Sequence, residues 1–170
     1  ARNLPCRIYE MADTFVPAGA KDSLPQERTK VALVTDEGLR PLRGAVESLI
    51  RSLHRTVDVR FEPAKLAWAE VGARILVNGR EIGQAGVFSD AVRQKYDFKD
   101  LTPCGAELDF EELMALESGP IKIRPIPRFP AVDRDLSILV SEQTAWDGIA
   151  KAVESVAPPE LEDIRFVDIY

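Results

Sequence analysis

The sequence predicts an α+β protein in which an antiparallel sheet with flanking helices is followed by a shorter β-α-β unit. Three observations carry this expectation. Short runs of alternating apolar and polar residues recur through the first two thirds of the chain, the signature of half-buried strands. A single strong helical stripe interrupts them between Leu42 and Leu53. Four prolines crowd Gly119 to Pro130, where each removes an amide donor and fixes φ, and they separate the larger part from the smaller.

Taken in order, Arg7 to Val16 (RIYEMADTFV) mixes β-branched, aromatic and polar residues and is expected to form the first strand. Pro17 to Arg28 holds Pro17, Gly19 and Pro25 and reads as an exposed connection to a second strand at Thr29 to Thr35. Leu42, Ala45, Val46, Leu49, Ile50 and Leu53 then recur at i, i+3, i+4 spacing, with Arg43, Glu47 and Arg51 on the other face. Val57 to Phe61 alternates again. Ala73 to Val77 and Ile82 to Val87 flank Asn78-Gly79, a pair that tolerates the positive φ of a tight hairpin turn. A helical turn is expected at Ala91 to Tyr96, a strand at Cys104 to Phe110, and a short helix at Phe110 to Leu116. After the prolines, Arg134 to Ser141 predicts a strand, Thr144 an N-cap, Trp146 to Val156 a helix, and Leu161 to Tyr170 a closing strand. Two strands and one helix make too small a sheet to be stable alone, so this unit reads as half a domain that either leans on the first or was cut from a longer parent.

Composition removes several classes. With 45% hydrophobic and 29% charged residues and no run approaching ~18 apolar residues, the chain has no expected membrane span. The net charge of −6 argues against a chain built mainly to coat nucleic acid. Cys6 and Cys104 lie far apart and outside any zinc or dithiol spacing, and both read as small packed residues in a reducing cytoplasm. No secretory signal is read at the start of the sequence.

Catalytic constellations are sparse. His54, the single histidine, falls at a helix end, where a cation favours terminal carbonyls. Alternation along a strand sends neighbouring side chains to opposite faces, so Glu107, Asp109, Glu111 and Glu112 read as a solvated strand edge and helix N-terminus rather than a metal site. Asp133 and Asp135 flank Arg134 and suggest a local ion pair or cap. Gly79, Gly83 and Gly86 match neither a dinucleotide fingerprint nor a P-loop, and are expected to serve hairpin geometry and close packing. Charge is polarised at the boundary: Ala106 to Glu117 is acidic only, whereas Gly119 to Arg134 carries Lys122, Arg124, Arg128 and Arg134 against Asp133. That segment reads either as a solubilising linker or as a basic arm for phosphates.

FPAVDRDLSILV (Phe129 to Val140) and LEDIRFVDIY (Leu161 to Tyr170) resemble the opening β-α-β of the ferredoxin-fold anticodon-binding domain in the bacterial phenylalanyl-tRNA synthetase beta-subunit family. RIYEMADTF (Arg7 to Phe15), LRPLRGAVESLI (Leu39 to Ile50), NGREIGQAGVFSDAV (Asn78 to Val92) and AELDFEEL (Ala106 to Leu113) resemble its upstream motifs in the same order. There are departures. Ala12 stands where the family usually has Gly, and Val87-Phe88-Ser89-Asp90 replaces its "LHP".

The resemblance implies three regions: residues 1–118 as the C-terminal part of a class II synthetase-like domain, 119–130 as a Pro-rich linker, and 131–170 as the N-terminal half of the anticodon-binding domain. It also implies a non-catalytic chain with no catalytic or metal residue and no cofactor of its own. The arginine motifs that clamp ATP in class II enzymes are not recognisable, and Ala12 and Asp13 stand where an active enzyme approaches its Arg-x-Glu loop. ATP and magnesium then belong to the parent complex, whose alpha subunit carries the chemistry. The implied partners are that alpha subunit and tRNA-Phe, with neither membrane nor DNA, in the cytoplasm. RDLSILV lacks the aromatics that stack bases in related sheets, so RNA contact would run through cations to phosphates. Arg128 and Arg134 lead, because Phe129 and Pro130 fix the chain between them, and Lys122 and Arg124 complete the set; pairing of Arg134 with Asp135 or a neighbouring carboxylate is the competing expectation. The rival reading of the whole chain is a self-contained regulatory or interaction module that closes against another copy through an exposed strand edge.

Overall fold

Ten elements form in a computed structural model that describes residues 4–19, 24–98, 100–117, 119 and 128–169. The chain divides into two units, Ala1–Arg124 and Pro125–Tyr170. In the first, β1 (Arg7–Val16), β2 (Gln26–Thr35), α1 (Leu39–Leu53), β3 (Val59–Pro63), β4 (Ala69–Val77), β5 (Arg80–Phe88), α2 (Asp90–Lys95), β6 (Cys104–Asp109) and α3 (Phe110–Met114) follow one another along the chain. The second holds α4 (Trp146–Val156). The α+β expectation stands.

Sheet order is β1-β2-β6-β5-β4-β3, and every pairing is antiparallel. Successive side chains of a strand point to opposite faces, so Cys104, Ala106 and Leu108 of β6 turn inward beneath the helices while Gly105 and Glu107 turn the other way. Against that inner face α1 lays Leu42, Val46 and Ile50, which join Val31, Ile75, Val77, Ile82, Ala85 and Leu113 in one buried cluster. Ile50, Ile75, Val77, Leu108 and Leu113 are each 0% exposed. Burying a side chain of that size contributes roughly 1.5–3 kcal/mol, so this cluster anchors the unit.

The Asn78-Gly79 hairpin forms as expected, with both residues at positive φ (51° and 81°). Asn78 also ties the turn to the residue before β3: its Oδ1 accepts the Asp58 amide at 3.0 Å and its amide donates to Asp58 O at 2.9 Å. β1 lies at the sheet's edge and is almost wholly exposed. β6 pairs with β2 only from Lys30 onward, so the outer parts of β1 and β2 continue as a two-stranded ribbon.

Several boundaries move. β2 begins at Gln26, and α1 at Leu39 behind Gly38, whose φ of 99° turns the chain into the helix. β3 begins at Val59, so Val57 and Asp58 precede it. The acidic stretch from Glu107 does not form a strand edge, because β6 runs through the middle of the sheet between β2 and β5.

In the second unit α4 has the bounds expected, but Thr144 is not its cap. Ala145 holds that position with no side-chain bond, and Thr144 N–H is spent on Ser141 O at 2.8 Å. Arg134 to Ser141, and the described part of Leu161 to Tyr170, form no ladder. A split β-α-β places another strand between its two parallel strands, and the described residues of this unit contain none. Leu136, Leu139 and Ile169 stand 80%, 103% and 86% exposed in consequence. Trp146 of α4 meets Phe166 edge to face at 5.5 Å, which holds the helix against the segment that follows it.

Candidate nucleic-acid interface

Arg128 and Arg134 are both exposed, and neither makes an ion pair with a described carboxylate. The expected pairing of Arg134 with Asp135 is therefore absent. Asp133 acts instead on Arg165, whose guanidinium is held protonated chiefly by its hydrogen bond to Asp163 at 2.6 Å, with Asp133 adding a weaker attraction. Lys122 and Arg124 lie outside the described residues.

The first unit assembles a cluster of charge that the linear sequence does not display. β2 and β6 are registered so that Lys30 faces Asp109, and Lys30 Nζ reaches Asp109 Oδ2 at 3.0 Å. Arg28 lies 3.8 Å from Asp109 and 3.9 Å from Glu112, and Arg80 also pairs with Glu112. Asp109 caps α3 by accepting the Glu112 amide at 3.0 Å, and Glu111 accepts the Thr29 amide at 3.0 Å. Burial of the Asp109 carboxyl opposes ionisation, but the amide bond and Lys30 outweigh it and hold the group below its ordinary range. The acidic cluster is thus a cap and a clamp. Elsewhere Arg7 grips Glu37 with two nitrogens, and that hydrogen bond holds the Glu37 carboxyl low.

The outward face of the sheet is closely packed over its glycines, and its cations are held by carboxylates. Gly72, Gly86 and Gly105 form a row across β4, β5 and β6. A Cβ at each would strike Leu66 at 2.8 Å, Ala69 at 2.7 Å and the Phe88 ring at 2.7 Å, so protein already occupies the space above them. A Cβ at Gly83 would likewise strike Glu107 O. These glycines serve close packing, as expected. Arg74 is engaged by Glu62 at 3.2 Å and Glu81 at 3.6 Å, and Lys30 by Asp109. A cleft between β1, β2 and α1, lined by Leu33, Thr35, Pro41 and Leu42 among others, offers about 60 Å³, well below the ~300 Å³ at which ligand pockets begin.

His54 does close α1, but its ring reaches across to another helix. Its amide donates to Ile50 O at 2.8 Å, while the buried Nε2 lies 2.8 Å from Leu113 O in α3. Cys104 is 1% exposed, and burial pushes its thiol up. Among the described residues, no group of three or more His, Cys, Asp or Glu is placed to hold a metal ion.

Sequence reasoning missed the full extent of the basic face of α1. Arg40, Arg43 and Arg51 stand along its exposed side and Arg55 follows it. Glu47 bonds Arg43 at 2.7 Å and Arg51 at 3.0 Å, and Arg43 also stacks over Phe61 at 5.1 Å. The available signal was the i, i+4 spacing of charges, which reads equally as a solvated helix face.

Two family profiles match the chain: one described as "Phenylalanyl tRNA synthetase beta chain CLM domain" over residues 1–110, and one described as "Ferredoxin-fold anticodon binding domain" over residues 127–170. The chain is 32% identical over 130 residues to the phenylalanine–tRNA ligase beta subunit of Geobacillus kaustophilus, covering 75% of this chain and 16% of that protein. It is 26% identical to the Clostridium tetani beta subunit and 28% identical to that of Listeria monocytogenes, with 99% of this chain covered in each case. The matches span 22% and 23% of those two proteins, so the chain corresponds to about a fifth of the length of the curated relatives it matches. With one profile on most of the sheet-bearing unit and the other on the unit around α4, the chain belongs to the phenylalanyl-tRNA synthetase beta chain family.

Proposed function

We propose that this chain is a scaffolding part of a phenylalanine–tRNA ligase: it helps hold the alpha subunit and dock tRNA-Phe while the alpha subunit carries out ATP-dependent phenylalanylation in the cytoplasm. The observation that carries the reading is the succession of the two family profiles along one chain, a synthetase beta-chain domain followed by an anticodon-binding domain. The chemistry of the sheet supports it. The outward face offers packed glycines and cations already held by carboxylates, where an activating enzyme needs open cations for phosphates. ATP and magnesium are the parent complex's reagents, and no step here runs through them.

Residues 1–118 would meet the alpha subunit and residues 131–170 the tRNA, across a linker at 119–130. Arg128 and Arg134, with Lys122 and Arg124, form the proposed phosphate contacts near the second unit. Phosphate contacts add affinity through counterion release and make it fall with salt. Changing Arg128 and Arg134 to Ala is expected to weaken filter binding of tRNA-Phe and to lower the slope of log affinity against log salt by about 1 to 2. An unchanged slope removes the pair from the contact set. Co-elution with purified alpha subunit tests the assembly role, and separate elution at micromolar concentration would refute it.

A further inference from the structure

We propose that the outward side of α1 is a second RNA-phosphate surface, formed by Arg40, Arg51 and Arg55 with Arg43 at its margin. The inference rests on the reading that the chain docks tRNA, and adds a contact surface on the first unit that neither family profile assigns.

Charge distribution makes the case. Residues 128–169 carry four cations against nine carboxylates, so the unit matched to the anticodon-binding domain is strongly acidic outside its short basic arm. An RNA brought to that unit is repelled by most of it. From Leu39 to Arg55 the balance reverses, with four arginines and a single glutamate. At 1.5 Å per residue, Arg40 and Arg51 stand about 16 Å apart along the helix, enough to meet several phosphates of one strand.

Helix stability accounts for Arg51, a last-turn cation paired with Glu47, but not for Arg40. The first turn of α1 contains Arg40 and no acid, and a cation there opposes the helix dipole. Among the described residues neither Arg40 nor Arg55 pairs with a carboxylate. Arg43 is different, held by Glu47 and stacked on Phe61. Glu47 restrains Arg43 and Arg51 together, so it sets how much of the positive field reaches an approaching phosphate.

The test is a salt titration of tRNA-Phe binding to the whole chain and to three variants. Arg40→Gln, Arg51→Gln and Arg55→Gln combined should lower the slope of log affinity against log salt by about 2 to 3. Glu47→Gln should instead tighten binding several-fold, a gain that misfolding does not produce. Arg128→Ala with Arg134→Ala is measured separately. A triple variant that keeps the parent's circular dichroism and melting midpoint, yet also its salt slope, overturns the α1 surface; so does an unchanged or weakened affinity in Glu47→Gln. Loss of slope in the triple variant alone supports α1 and removes Arg128 and Arg134. A parent chain with no salt-dependent binding overturns both assignments.

Discussion

The two units of this chain handle the same raw material differently. In the first, each alternating run finds a partner: six strands join in one ladder, α1 and α3 cover its inner face, and a cluster at its centre falls to 0–9% exposure. In the second, two runs with equally good alternation flank a well-formed amphipathic helix but remain unpaired, and Leu139 is fully exposed. The contrast shows that alternation states a demand for a sheet, whereas a ladder needs a neighbour at the right place in the topology. Among the described residues of this unit no strand lies between the two runs, and neither has a ladder partner.

The largest test of that contrast is a matched pair of truncations. Ile75→Ala should destabilise the first unit by about 2–5 kcal/mol, whereas Leu139→Ala should change stability by less than ~0.5 kcal/mol, both read from urea midpoints. Comparable losses would mean the second unit has a buried core after all. Next come two Gly→Ala changes of opposite sign. Gly83→Ala drives a Cβ into Glu107 O across the ladder and should cost about 1–3 kcal/mol. Gly148→Ala, inside α4 with open space around it, should stabilise by roughly 0.5–1 kcal/mol.

A smaller effect is expected from Asp109→Ala, which removes the cap of α3 and should cost about 1 kcal/mol. Because the folded state depresses this carboxyl below its ordinary 3.8, its contribution is complete above that value and is lost as pH falls through the folded-state value. Asp109→Asn keeps a capping oxygen but gives up the charge that Lys30 and Arg28 face, so stability at pH 7 should fall by less than in Asp109→Ala and the acid loss below pH ~4 should become shallower. The smallest effect belongs to the second unit: Asp163, paired with Arg165 in full solvent, should become Asn without a measurable shift in melting midpoint at ordinary salt.

Much of the architecture could be read from residues alone. The Arg7–Val16 strand, the Asn78-Gly79 hairpin, the stripe of α1 and the helix at Trp146 are encoded locally, in periodicity and turn chemistry. Strand order was not. Nothing in the alternation of CGAELD says that it runs between β2 and β5, so Asp109 was legible as a helix-start acid and illegible as the partner of Lys30 and Arg28. The ring of His54 reached Leu113 rather than its own helix for the same reason: long-range neighbours are set by packing that spacing does not record. Thr144 shows the reverse failure, a suitable capping residue one position before the N-cap, which Ala145 occupies.

The central claim is that this chain supports a ligase without carrying out its chemistry, and phenylalanine-dependent ATP–pyrophosphate exchange by the purified chain tests it most directly. The account predicts a rate equal to the protein-free blank at every chain concentration. A rate that rises with the chain and disappears in Arg74→Ala would contradict it, because the outward face of the sheet would then hold a working site.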